Sequence, residues 1–471
     1  MSQPPESFPS RKNRWVIPCL ILLVALPILY QGFSGEVDRW RAAQVMESWL
    51  DGEKGQSIAK LKEISQRLPD DHGLKVVLAK WILDLGAIDG NAKHAAEALE
   101  LLKDIPDQYQ DAQSIRLQRN CLLAMGKHEE ALLAYRAANP ADEERSIREQ
   151  VQHKNDLAYY QALADQELQL ALSNSHEVVR FEVNEWNKKT HILLAEHMQG
   201  MFCSALVYWR QIDRLALNDS ARRQDFGNKA IKNLSAPILG KEAEYVRLKI
   251  QVDELTNATA SLEEESPTDE ASSSDSNESE PGGAGTEPEN LSAKEKLTKM
   301  QESKENAAHA LATMLTLRAL MYQDMGQSEK SFADRRQVTQ LGYMPETMAR
   351  KLPTLKDCVS QLDTLASYLD TRGCVLYKLN HLPAAFADLN VAVTAKQTLV
   401  DVAEFVPRTS LETSLDPRQQ FEMFVRQPRR SLAALMFHRS WVLRGGGDQK
   451  GARADITAVR ELGFVPGNYL F

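Results

Sequence analysis

The sequence predicts an all-α protein built from helical hairpins in two blocks, with one membrane-spanning helix in front of them. Three observations carry that prediction. Apolar residues recur at spacings of three and four through Ala- and Leu-rich segments, and no stretch alternates as a half-buried strand would. A pattern of Arg, turn residue, small residue and Asp returns three times in one register. One uncharged apolar run stands near the N-terminus.

That run comes first along the chain. Trp15 to Tyr30 reads WVIPCLILLVALPILY, preceded by Arg11, Lys12 and Arg14. Residues 15–33 are read as a transmembrane signal-anchor helix, because Trp15 and Tyr30 sit where interfacial aromatics belong and Gly32-Phe33-Ser34 lacks an A-x-A cleavage pattern. The basic residues ahead of it place residues 1–14 as a cytoplasmic tail and the bulk of the chain on the outer side of the membrane. Cleavage near Ser34, giving a secreted chain, stays open.

Behind the anchor, residues 36–256 and 293–471 are read as two helical blocks. Between them, 257–292 is read as a disordered linker: NATASLEEESPTDEASSSDSNESEPGGAGTEPEN has no Lys or Arg and too few apolar side chains to offset the entropy of ordering. As a flexible chain it spans on the order of 30 Å, leaving the blocks free to dock or separate.

The repeat sits in the second block. In LRALMYQDMGQSEKSFADRRQV, TRGCVLYKLNHLPAAFADLNVAV and HRSWVLRGGGDQKGARADITAV, Arg318, Arg372 and Arg439 each precede Asp334, Asp388 and Asp455 by sixteen residues. Gly326, Asn380 and Gly447 fall eight after each Arg, and Ser331, Ala385 and Ala452 five after that. Gly or Asn can take the left-handed conformation that ends a helix, and a small residue one turn into the next lets two backbones approach. Each Arg and Asp is read as a structural ion pair across one hairpin.

These residues resemble the tetratricopeptide repeat family, whose 34-residue unit is a helix-turn-helix with Gly at the turn, Ala after it and Pro near its end. The resemblance covers 312–345, 366–399 and 433–466, most closely at Arg372-Gly373 with Phe386-Ala387-Asp388-Leu389. Weaker units follow the same ruler at Gly52, Ser57 and Pro69 within 38–71, at Gly86, Ala96 and Pro106 with a short insertion around Asp89-Gly90-Asn91, and at Gly126 and Ala131. The C-terminal turn residues lie 54 and 67 positions apart rather than 34, so extra helices or loops intervene. Residues 141–256 read as helical, with clusters HILLAEHM and CSALVYWRQI, but hold no clear unit.

The resemblance implies a concave groove that holds a protein or peptide. Carried over by position, its candidate residues are Thr316, Leu320 and Gln323; then Asp370, Cys374, Tyr377 and Lys378; then Phe437, His438, Trp441 and Arg444. Tyr, Trp and Arg are the types that dominate binding hot spots, since each buries large area and keeps a polar contact. Packing of Phe437 and Trp441 against a neighbouring helix stays open beside that. Arg116 and Asn120 match the first two positions of a family carboxylate clamp whose other positions are not filled.

Composition narrows the function classes. A chain of 471 residues with 43% hydrophobic and 26% charged residues is not a collagen, a wholly disordered protein or a multi-spanning membrane protein. With 56 Lys+Arg against 65 Asp+Glu the net charge is -9, which offers no electrostatic footprint for nucleic acid. Five cysteines, Cys19, Cys121, Cys203, Cys358 and Cys374, show no paired metal or redox spacing, so neither a disulfide scaffold nor a zinc site is expected. His191 and His197 are six apart and do not share a zinc-binding helix face, and Arg444-Gly445-Gly446-Gly447 with Lys450 lacks phosphate-loop spacing and reads as a helix turn. No catalytic motif and no cofactor fingerprint is present.

The expected function is therefore a membrane-anchored, non-catalytic scaffold or adaptor. Two readings stay open beside it: a helical enzyme or enzyme-regulating subunit with its site in 141–256, and a self-associating structural envelope protein.

Overall fold

The computed structural model of the chain describes residues 36–46, 48–49, 54–91, 93–140, 145–212, 215, 219–264, 292–405 and 425–470. The expected anchor at 15–33, Gly52 and most of the acidic stretch lie outside these residues. Among the described residues every regular element is helical, and no helix is long and apolar enough to cross a membrane.

The helices are α1 (36–46), α2 (Lys54–Arg67), α3 (His72–Asp89), α4 (Lys93–Lys103), α5 (Ala112–Ala124), α6 (His128–Ala138), α7 (Ile147–Ala164), α8 (Leu168–Thr190) and α9 (Glu196–Gln211). They continue with α10 (Ser220–Glu264), α11 (Ala293–Asp324), α12 (Ser328–Gln340), α13 (Pro345–Arg350), α14 (Leu355–Lys378), α15 (Leu382–Phe405), α16 (Gln427–Gly445) and α17 (Gln449–Glu461).

The hairpin turns share one chemistry. Gly126, Gly326, Asn380 and Gly447 all have positive φ, between 62° and 87°. At Gly326 the amide bonds to the Gln323 carbonyl at 3.0 Å and the next amide, Gln327, to Tyr322 at 2.7 Å. The same pair of bonds closes α5, α14 and α16 at Gly126, Asn380 and Gly447. Two orphan carbonyls at each helix end are thereby satisfied, and the chain reverses at once into the next helix. Five residues on, Ala131, Ser331, Ala385 and Ala452 are buried, as small residues facing a partner helix should be.

One turn differs from the sequence reading. Gly86 lies inside α3, and the left-handed residue that ends this helix is Gly90, at φ 72°. The five-residue step then leads to Ala95, fully buried, rather than Ala96. The stretch around Asp89-Gly90-Asn91, read as an insertion, is the turn itself: a mid-helix Gly costs only about 1 kcal/mol, so α3 runs through it.

Helix lengths also depart from a 34-residue unit. Ser292 and Glu295 form a capping box, and α11 then runs uninterrupted because it contains neither Gly nor Pro. Likewise α14 starts ahead of 366 and α15 ends beyond 399. On the other side of the acidic stretch α10 reaches Glu264, past the expected linker boundary at 257.

The described residues form two compact units. The first takes those before Glu143 and those within Thr413–Phe437 and Ala454–Phe471. Its core joins α1–α5 to Ala433, Val459, Phe464 and Leu470, with the Trp49 and Trp81 rings stacked 4.4 Å apart. The C-terminal segment is tied in by the Val465 amide bonding to the Ala87 carbonyl at 3.1 Å and by Arg430 donating to Asp84 at 2.5 Å. This division cuts across the two sequence blocks.

The second unit takes Glu144–Glu412 and His438–Arg453. At its centre α9 is buried on every side from Phe202 to Tyr208, the mark of a helix wrapped by others. It packs against α8, α10, α14 and α15. The stretch HILLAEHM is not one helix: His191 ends α8 at φ 57° and α9 begins at Glu196. Helices α10 and α11, which flank the acidic stretch, pack on each other within this unit.

Candidate functional site

The expected groove residues do not all reach a surface. Thr316 is 2% exposed, Cys374 3% and His438 1%. Leu320, Tyr377, Lys378, Phe437 and Trp441 are half-buried, and Gln323 and Arg444 are exposed. Phe437 packs against the core of the first unit, beside Ala433 and Ala434. Gln323 accepts a hydrogen bond from Arg335 at 2.8 Å, and Lys378 lies 4.0 Å from Asp165. On α5, Arg116 is exposed and Asn120 half-buried. The inward side chains go inside because each sits on the helix face that meets a neighbour, a property spacing within one helix does not reveal.

Asp370, Cys374 and His438 come together. Asp370 and Cys374 are four apart on α14, so they share a face, and His438 on α16 completes the group: one ligand-type atom from each lies within 4.8 Å of the others. His438 Nδ1 and Asp370 Oδ1 are 2.7 Å apart. The imidazole lies 4.9 Å from the Trp441 ring and 6.1 Å from Tyr159, and Tyr377 approaches Trp441 at 6.2 Å. Behind Cys374 are Ala158, Ala162, Ala171 and Val375.

Burial and charge set the protonation there. Burial pushes the Cys374 thiol up, with Asp370 adding to it against the opposing His438. Burial alone would lower the His438 imidazole, but the Asp370 carboxylate and Cys374 outweigh it and hold it well above its usual range. Burial, then Asp370, raises the Tyr159 phenol.

A second constellation lies on the same pair of helices as the repeat. Arg372 Nε and Arg372 Nη2 donate to the two Asp388 oxygens at 2.7 Å each, a planar fork across α14 and α15. His197 of α9 contacts Asp388 Oδ1 at 2.7 Å, and Glu196 accepts from Arg372 at 3.1 Å. Burial raises the Asp388 carboxyl, but hydrogen bonds from Arg372 and His197 prevail and keep it below the ordinary carboxylate range. Arg318 forks onto Asp334 in the same way, at 2.8 and 2.7 Å, across α11 and α12. Arg439 donates to Asn390 at 3.0 Å, and Asp455 is buried on α17.

No protein-family model matches this chain, and no curated protein matches it. Among solved structures the chain is similar to yeast Tom70, at 11% identity over 92% of each chain, with a TM-score of 0.23. An overlap that low adds nothing to the helical architecture already described.

The second unit also holds a cavity of about 470 Å³, lined among others by Lys189, His191, His309, Thr313, Lys351 and Asp357. Burial lowers the His309 imidazole, and the positive charges of Lys351 and His191 lower it further. Lys189 pairs with Asp357 at 2.6 Å and holds that carboxyl low. Sequence reasoning missed this cavity, as it missed Tyr159 and Glu196, because its walls come from segments more than a hundred residues apart. The i, i+4 pair Asp370 and Cys374 was visible in the sequence; a histidine 68 positions past the aspartate carries no local signal.

Proposed function

We propose that the chain is a membrane-tethered, non-catalytic adaptor whose helical hairpins bind a protein or peptide. One observation carries this reading: Tyr377 and Trp441, half-buried with ring centres 6.2 Å apart, stand beside exposed Arg444, one helical turn beyond Trp441. Two aromatics held in place by packing, with a free-reaching guanidinium next to them, make a low-entropy anchor of the kind that concentrates binding energy. The left-handed turns and buried small residues support the resemblance to tetratricopeptide repeats, whose units serve as peptide-binding scaffolds. The apolar run 15–30 supports tethering, with the helical units on the outer side.

The test is a crosslinking pull-down with the full chain, run beside a Tyr377→Ala, Trp441→Ala, Arg444→Ala triple variant of equal helical content. Loss of one defined partner in the variant supports the adaptor reading; partners retained unchanged refute it. Protease protection in sealed vesicles tests the topology, since digestion of the helical units from the cytoplasmic side would overturn it.

A second reading, an enzyme-regulating subunit with a site in 141–256, is favoured by the cavity at Lys189 and His191, where the Lys351 ammonium offers a charge for a small anionic ligand. Titration with inorganic phosphate and with a dicarboxylate, read by chemical shifts in wild type and Lys351→Ala, separates the two. Binding of either anion that is lost in Lys351→Ala supports this second reading.

A further inference from the structure

We propose that Asp370, Cys374 and His438 form a site for one zinc-class transition-metal dication that ties α14 to α16. The site does not depend on the adaptor reading, and none of its three ligands is varied to test that reading.

The donor set selects the metal. A thiolate sulfur, an imidazole nitrogen and a carboxylate oxygen are the ligand types of four-coordinate zinc, whereas magnesium and calcium demand six or more oxygens. Bonds of about 2.0–2.3 Å place tetrahedral ligand atoms roughly 3.5 Å apart. The three atoms here are within 4.8 Å of one another, so closing onto an ion needs a small contraction of side chains rather than a backbone shift.

The surroundings are those of a built site. His438 and Cys374 are buried, with rings of Trp441 and Tyr159 flanking the imidazole and small apolar residues behind the thiol, so two ligands have fixed rotamers before any ion arrives. The Asp370 side chain is 15% exposed, which gives a path of entry and room for a water as the fourth ligand. The Asp370–His438 hydrogen bond already holds two of the three groups on one point. On binding, the metal takes over both partners of that bond, and two protons leave to solvent as the metal bonds form: the one shared between His438 Nδ1 and Asp370 Oδ1, and that of Cys374 Sγ–H. No redox change is involved.

The consequence is a clip between residues far apart in sequence. Binding to the folded state alone shifts the folding equilibrium by the factor 1 + [metal]/Kd, about a hundredfold at a hundred times Kd.

The experiment uses the full chain, stripped with chelator and titrated with cobalt(II) as the spectroscopic probe, followed by zinc competition. Expected are one cobalt per chain, a sulfur-to-cobalt charge-transfer band displaced by zinc, and a melting midpoint raised by zinc. Cys374→Ser should abolish the band, while Cys121→Ser, Cys203→Ser and Cys358→Ser should keep it. A wild-type chain with no band, or a band that survives Cys374→Ser, overturns the proposal. Should Cys374→Ser fail to fold, Asp370→Asn at the partly exposed ligand decides: the band persists with weakened cobalt affinity if Asp370 is a ligand, and unchanged affinity overturns the assignment.

Discussion

Replacing Asp388 by Ala removes the acceptor on which Arg372 Nε, Arg372 Nη2 and His197 converge. The Arg372 side chain is 7% exposed and that of Asp388 2%, so water cannot substitute for the lost carboxylate. Breaking a buried pair from one side costs about 3–5 kcal/mol, because a charge is left desolvated and unpaired. Glu196 still accepts from Arg372 at 3.1 Å, which puts the expected loss near the lower end, about 3 kcal/mol. For a unit of this size each kcal/mol moves the midpoint by about 2–4 °C, so melting should fall by about 6–12 °C. Circular dichroism melting at pH 7 reads this directly. The same substitution at Asp334 should cost less, about 1–2 kcal/mol, since the Arg318 side chain is 19% exposed and can rehydrate. Because the pair is costly to desolvate, Arg372→Met with Asp388→Leu should recover most of the single-variant loss. An unchanged midpoint in Asp388→Ala, or a double variant worse than either single, would refute the assignment of a desolvated fork to this hairpin.

Further outcomes follow from the same geometry. The Asp388 carboxyl is held below its ordinary 3.8, so its contribution is complete above that pH and is lost as pH falls through the folded value; the stability gap between wild type and Asp388→Asn should therefore narrow below pH 3.8, as acid titration of both melting midpoints would read. At Asn380, φ 62° favours Gly and penalises a β-branched side chain, so Asn380→Val should cost about 1–2 kcal/mol and Asn380→Gly should be neutral or mildly stabilising in urea unfolding. A Cβ on Gly200 would stand 2.5 Å from Val391 Cγ1, so Gly200→Ala should destabilise by about 1–3 kcal/mol despite its better helix propensity; an added Val391→Ala should relieve the clash, and no rescue would show that α9 and α15 do not meet there.

Features that depend on near neighbours are legible in the residues alone. Three- and four-residue spacing marks helices, since 3.6 residues per turn brings those positions to one face. Gly126, Gly326, Asn380 and Gly447 are legible as helix ends because few residues tolerate positive φ, and the sixteen-residue step from Arg372 to Asp388 is legible because two antiparallel helices bring those positions level. Gly86 misled for the same local reason: a glycine ends a helix only where the backbone turns left-handed, and Gly90 does so instead. Tertiary structure decided the rest. That α9 is wrapped on all sides, that His197 and Glu196 join the Arg372 fork, that the C-terminal segment closes the core around Trp49 and Trp81, and that Asp370, Cys374 and His438 meet all depend on which faces bury against each other. Hydrophobic burial is non-directional, so a sequence shows that a face will be covered without showing by what.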